Sequence, residues 1–122
     1  MGGIHLDALH DGRRRSIVRR GWLAELRPLL LISGALLLVQ LVNASLGGAL
    51  NVWGLVPRHI EALPGILLAP WLHGSWAHLL SNLSGLLVLG SLVLLRSRRD
   101  FYLSSAFIIV GSGVLVWLFG RT

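Results

Sequence analysis

Four polar residues that could carry chemistry cluster in one short stretch of an otherwise apolar sequence: His73, His78, Ser81 and Asn82. His78 and Asn82 are four residues apart, and Ser81 is three residues from His78. A helix therefore places these three side chains on one face, which Gly85 continues. Neutral imidazole and amide donors in a dry site are what the developing charge of an acyl-transfer intermediate requires. The residue types thus favour an oxyanion-stabilising role.

Three other uses of the same side chains stay open. A zinc site is disfavoured, because His73 and His78 are five residues apart and Glu61 is the only acidic residue nearby. Haem ligation by His78 is a runner-up, but no second histidine lies in a predicted span. Ser81 and Asn82 also suit a structural role in which they bond a neighbouring helix. We expect neither a metal nor a cofactor.

The composition is typical of a membrane protein. Hydrophobic residues make up 54% of the 122 residues and charged residues only 13%, which lies far outside the range of soluble proteins. The formal net charge of +6 would suit nucleic acid, but the arginines flank the apolar runs, where they set membrane orientation. We therefore expect the lipid bilayer, and no nucleic acid, as a partner.

Three apolar runs are long enough to cross a bilayer, which predicts an all-α membrane protein. The spans are predicted at about 28–46, 76–95 and 101–119. Pro28 is expected at the start of the first helix, where its missing N–H costs least. Ser33, Gln40 and Asn43 interrupt the first span and should face other helices, which indicates a bundle.

The arginines also predict the topology. Residues 1–27 form a basic arm, and the turn Arg96–Asp100 between the second and third spans is basic as well. Both should be cytoplasmic by the positive-inside rule, which leaves the loop at about 47–75 outside. The expected location is the bacterial plasma membrane, with the N-terminus in the cytoplasm.

The N-terminal half allows two other interpretations. Basic residues, an apolar run and Val42-Asn43-Ala44 also fit a cleaved signal peptide, and Arg14-Arg15 hints at a twin-arginine signal. The long run and Gln40 within it argue against cleavage. The segment 16–26 fits either a short amphipathic helix on the anionic inner leaflet or a solvated basic arm.

From about residue 51 to residue 122 the sequence resembles the N-terminal half of rhomboid intramembrane serine proteases. The similar segments are Gly54-Leu55-Val56-Pro57-Arg58, Leu63-Pro64-Gly65, Ala69 to Trp76, His78 to Asn82 and Trp117-Leu118-Phe119-Gly120. The most specific feature is the pattern His-x-x-x-x-His-x-x-x-Asn at the outer mouth of a helix. The resemblance implies the first three helices of a six-helix core.

The same resemblance implies residue roles. His78 and Asn82 would contribute to the oxyanion hole, and His73 would support the loop nearby. The family's nucleophile lies in a Gly-x-Ser-Gly motif on the fourth helix and its general base is a His on the sixth; this chain shows neither. Gly111-Ser112-Gly113 lacks the upstream glycine, so its small residues are expected to permit close helix packing instead.

The resemblance therefore predicts part of a serine endopeptidase that cleaves transmembrane protein substrates through an acyl-enzyme. This chain is expected to stop before the nucleophile, to be inactive alone, and to need the missing C-terminal helices as partners. A rhomboid-like protein that binds membrane helices without cleaving them is the alternative. A three-span scaffold without a ligand is a third possibility.

Overall fold

The computed structural model describes the backbone of residues 4–121 and the side chains of residues 21–121. Within that part of the chain every regular element is helical, so the all-α class is confirmed. The long helices are α1 (Ile4–Ser45), α3 (Trp76–Arg96) and α4 (Arg98–Phe119). A short α2 (Gly65–Leu68) and three 3₁₀ turns (Ala49–Trp53, Ile60–Ala62 and Ala69–Trp71) build the loop before α3.

Three helical segments are long and apolar enough to cross a membrane: Gly21–Ser45, Trp76–Arg96 and Arg98–Phe119. They contain 25, 21 and 22 residues, and at about 1.5 Å per residue each reaches roughly 30 Å or more, the thickness of the hydrocarbon core. Their outward surfaces carry exposed large apolar side chains such as Leu38, Leu89 and Phe107. The predicted three-span membrane architecture is confirmed.

α3 contacts both α1 and α4. The three long helices pack through two apolar clusters. One cluster joins Leu29, Leu94 and Phe101; the other joins Leu36, Leu79 and Leu83. The second cluster lies at the end of α3 that carries the polar residues. Packing of Leu79 and Leu83 against Leu36 turns this face of α3 towards α1 and leaves the face with His78 and Asn82 exposed.

Pro28 lies inside α1 and not at its start, so the predicted beginning of the first helix is wrong. A proline inside a helix cannot donate to the carbonyl four residues earlier, which here belongs to Ala24. The guanidinium of Arg98 takes that place, since its Nη2 donates to the Ala24 carbonyl at 3.1 Å. A contact from α4 thus compensates for the hydrogen bond that Pro28 removes.

The basic turn between the last two spans is shorter than predicted. Ser97 alone separates α3 from α4, and Arg98, Arg99 and Asp100 already belong to α4. Ser97 is extended, and its hydroxyl accepts a hydrogen bond from the Asp100 amide at 3.1 Å. This serine cap starts the helix early because it satisfies one of its first amides. The predicted interfacial segment 16–26 lies partly outside the described side chains.

Candidate functional site

His73, His78 and Asn82, three of the four residues singled out from the sequence, come together where the loop enters α3. His73 lies in the loop and is only 6% exposed. Nδ2 of Asn82 lies 3.2 Å from Nε2 of His73. The imidazole of His78 meets that of His73 edge to face, with 5.3 Å between ring centroids and an interplanar angle of 74°. His73 therefore touches both of the others.

The pairing of His73 with Asn82 specifies a tautomer. With Asn82 Nδ2 as the donor, Nε2 of His73 is the acceptor and the ring proton is on Nδ1. An amide nitrogen carries two N–H groups, so Asn82 retains one for another partner. Nδ1 of His73 is buried and has no hydrogen-bond partner within the described residues.

The surroundings of His73 favour its neutral form. Burial lowers its pKa below the ordinary value of 6.5, and the nearby His78 lowers it further. The backbone of Trp71 partly offsets these effects, although no residue within 21–121 hydrogen-bonds Nδ1. Only the neutral imidazole has an acceptor nitrogen, so the lowered pKa preserves the contact with Asn82.

Ser75 sets the start of α3 and therefore the position of His78. Its hydroxyl accepts a hydrogen bond from the His78 amide at 3.2 Å, which caps the helix. The side chains of His78, Ser81 and Asn82 are exposed, and Gly85 has open space around it. Leu79 and Leu83 on the other side of the helix are buried. The predicted polar stripe thus faces away from the apolar cluster.

A cavity of about 400 Å³ lies next to His73, between the end of α1 and the loop. Its lining includes Gln40, Asn43, Asn51 and His73. Gln40 is only 4% exposed, and its Oε1 has no hydrogen-bond partner within residues 21–121. Polar groups therefore form part of the wall of this cavity.

Asn43 fastens the loop to the end of α1. Its Nδ2 donates to Oδ1 of Asn51 at 2.9 Å, and its Oδ1 accepts from the Leu50 amide at 3.0 Å. The sequence places Asn43 against another helix, but the partners are loop residues. A polar residue in an apolar run can be recognised from the sequence, but the sequence does not show that its partners are Leu50 and Asn51.

A second attachment joins the loop to the end of α4. The Arg58 amide donates to the Trp117 carbonyl at 2.9 Å, and Arg58 Nη1 donates to the Gly120 carbonyl at 3.2 Å. Trp117 Nε1 donates in turn to the His59 carbonyl at 2.9 Å. Arg58 adopts the left-handed conformation with φ of 61°, a conformation that non-glycine residues rarely adopt. The sequence patterns did not predict these three hydrogen bonds between the loop and α4.

Ser112 does not join the site. Its hydroxyl bonds the Ile108 carbonyl within α4. The adjacent Gly113 is buried, and a Cβ there would lie 2.6 Å from Cγ2 of Ile66 in α2. The expectation that this small-residue segment permits close packing is confirmed for Gly113.

Comparisons with known proteins agree with this architecture. The Rhomboid domain family matches residues 61–122. Uncharacterized proteins of Mycobacterium tuberculosis and Mycobacterium bovis are each 35% identical over 103 residues, which are 84% of this chain and 43% of each relative. An uncharacterized protein of Mycobacterium leprae is 32% identical over 103 residues, 84% of this chain and 41% of the relative. No solved structure matches the chain.

The chain belongs to the rhomboid family. The resemblance seen in the sequence is therefore confirmed, and with it the assignment to a membrane protein. The matched region spans less than half the length of these relatives.

Proposed function

We propose that this chain supplies the oxyanion side of the active site of a rhomboid-type intramembrane serine endopeptidase. The observation that carries the proposal is the contact of Asn82 with the buried His73, beside the exposed ring of His78. It holds one amide donor in place and leaves a second N–H of Asn82 available. Membership of the rhomboid family supports the same role.

The chemistry assigned to these residues is charge stabilisation. When a serine attacks the carbonyl of a peptide bond, the carbonyl oxygen gains negative charge in the tetrahedral intermediate. Asn82 and His78 donate hydrogen bonds to that oxygen, and donors held in advance need no reorganisation as the charge develops. His73 is a positioning residue, because it acts through Asn82. Transmembrane proteins are the proposed substrates.

The nucleophile and general base lie outside these residues. No His follows Asn82, and no Gly-x-Ser-Gly motif occurs in the 122 residues. The relatives are more than twice as long as the matched region. We place the serine, its base and three further helices in sequence that corresponds to the unmatched part of these relatives. The chain by itself should not cleave substrates.

Serine-directed labelling tests this assignment. A fluorophosphonate probe should label the full-length gene product at one serine and should leave the isolated 122-residue chain unlabelled. Labelling of the isolated chain, at Ser112 or elsewhere, would show that the nucleophile has been placed wrongly. An unlabelled full-length protein that also lacks Gly-x-Ser-Gly would refute the peptidase proposal.

A rhomboid-like protein that binds membrane helices without cleaving them is the second candidate. The open face of α3 supports this candidate. Ser81 is exposed there, and a Cβ built at Gly85 would have no other atom within 4 Å. Small residues permit close approach of another helix. The two candidates differ in whether the full-length sequence contains Gly-x-Ser-Gly and a later His.

We further propose that the N-terminus and Arg99 face the cytoplasm of a bacterial plasma membrane. Most arginines precede the apolar part of α1 or flank the turn between α3 and α4, and Arg98 joins these two regions through its bonds to Ala24 and Glu25. Positive charge favours the cytoplasmic side. The 122 residues contain no cysteine, so Arg99→Cys and Ala49→Cys each introduce a single thiol. An impermeant maleimide should label Ala49→Cys from outside and Arg99→Cys only after lysis; the reverse pattern would invert the topology.

A further inference from the structure

A second cavity, of about 320 Å³, lies where the apolar part of α1 and the first turn of α4 meet. It is lined by Ala24, Arg27, Pro28, Leu31, Arg98 and Tyr102. None of these residues takes part in the site around His73. Both helices begin their membrane-spanning segments here, so the cavity lies at a membrane boundary.

Arg98 is fixed over this cavity by α1. Its Nε donates to Oε2 of Glu25 at 2.9 Å, and its Nη2 donates to the carbonyl of Ala24 at 3.1 Å. Its Nη1 group makes no hydrogen bond to residues 21–121. Because a guanidinium carries its donors in a rigid plane, the two bonds to α1 orient the remaining N–H groups for an additional acceptor.

The two helices present the same pattern to the cavity. Leu31 follows Arg27 by four residues on α1, and Tyr102 follows Arg98 by four residues on α4. Residues four apart share a helix face, and the second lies about 6 Å further along the axis. A pair of cations is therefore followed, towards the membrane interior, by an aliphatic and an aromatic side chain.

We propose that this cavity binds the phosphate headgroup of an anionic phospholipid. Arg27 and Arg98 contact the phosphate, as basic pockets between membrane helices do. The Tyr102 hydroxyl adds a donor at the interface, where tyrosine is favoured.

The apolar part of the cavity argues for a lipid and against a soluble phosphate. Leu31 and Tyr102 are 62% and 52% exposed, and they offer an acyl chain a surface that a soluble phosphate cannot use. Glu25 partly neutralises Arg98, so Arg27 contributes most of the preference for a negative headgroup. The proposal does not depend on proteolysis.

Native mass spectrometry of the delipidated full chain tests the site with phosphatidylglycerol and phosphatidylcholine of matched acyl chains. Wild type should bind phosphatidylglycerol more tightly by about fivefold or more, the effect of roughly one arginine at a membrane surface. Arg27→Gln should remove most of that preference, and it leaves the bonds of Arg98 to α1 in place. Arg99→Gln is the matched control, since it removes the same charge at the same boundary but does not line the cavity.

Three results would overturn the proposal. Equal affinity for the two lipids would show that the cavity does not recognise the negative headgroup. An Arg99→Gln effect as large as that of Arg27→Gln would show diffuse surface attraction. Competition by glycerol phosphate at the concentration at which the lipid binds would assign the cavity to a soluble anion. Persistence of the preference in Arg99→Gln, with its loss in Arg27→Gln, would support a discrete lipid site.

Discussion

The Asn82 amide lies 3.2 Å from the His73 imidazole, and this contact joins an exposed residue of α3 to a buried residue of the loop. The buried His73 holds the amide of Asn82 in position, and the exposed Asn82 offers its second N–H to a ligand. His73 is buried within the loop, while Asn82 is exposed on the open face of α3. In the proposed role, we expect a donor held in this way to change position little when a substrate binds, as oxyanion stabilisation requires.

Removal of either proposed oxyanion donor should slow turnover. In the full-length protein, His78→Ala or Asn82→Ala is expected to lower kcat about a hundredfold or more, with a smaller effect on KM, because the lost hydrogen bond strengthens only in the transition state. Cleavage of a reporter transmembrane protein in proteoliposomes measures both constants. Ser81→Ala is the control, since Ser81 is exposed on the same face; equal rates for all three variants would refute the assignment.

Acid should destabilise the loop around His73. Burial and His78 lower the pKa of this residue below its unfolded value of 6.5, so the unfolded chain takes up the proton first as the pH falls. The stability linked to His73 is therefore present above about pH 6.5 and is lost progressively below it. In His73→Gln this pH dependence should disappear.

Thermal unfolding in detergent between pH 8 and pH 5 measures the effect of His73. His59→Gln is the control because it replaces an exposed histidine of the same loop. The physical reason for the acid effect is that protonation of Nε2 removes the acceptor used by Asn82. An unchanged slope in His73→Gln, or the same loss of slope in His59→Gln, would contradict it.

The bonds of Asn43 to the loop should contribute measurably to stability. Asn43→Leu keeps the approximate size of the side chain but leaves the Leu50 amide and the Asn51 side chain without their partner. Leaving such groups unsatisfied costs about 1–3 kcal/mol each when they are buried. Because Asn51 is exposed, we expect Asn43→Leu to lower the free energy of unfolding by an amount near the lower limit, about 1 kcal/mol.

Ser45→Ala is the control for Asn43→Leu. Ser45 lies at the same end of α1 and is exposed. Among the residues whose side chains are described, its hydroxyl bonds only the Leu41 carbonyl within its own helix. The unfolding temperature of Asn43→Leu should fall clearly below that of Ser45→Ala. Equal unfolding temperatures would show that water replaces the bonds of Asn43 without loss.

Local sequence patterns predict the three spans and the polar stripe of α3, because both depend on residues that are neighbours along one helix. They do not predict the contacts that fix the loop and the helix ends. Arg58 bonds Gly120 across 62 residues, and Arg98 bonds Ala24 across 74 residues. The position of Pro28 illustrates the limit, since proline normally marks a helix start, yet here a distant arginine satisfies the carbonyl that the proline leaves without a donor.

The glycines on either side of Ser112 should differ in their tolerance of a methyl group. A Cβ at Gly113 would lie 2.6 Å from Ile66, whereas a Cβ at Gly111 would have nothing within 4 Å. Gly113→Ala should therefore destabilise the protein by about 1–3 kcal/mol through overpacking of α4 against α2. Gly111→Ala should be neutral or stabilising by up to about 1 kcal/mol, because alanine favours the helix. Thermal unfolding separates the two variants, and equal sensitivity of both positions would mean that the segment serves something other than the contact with Ile66.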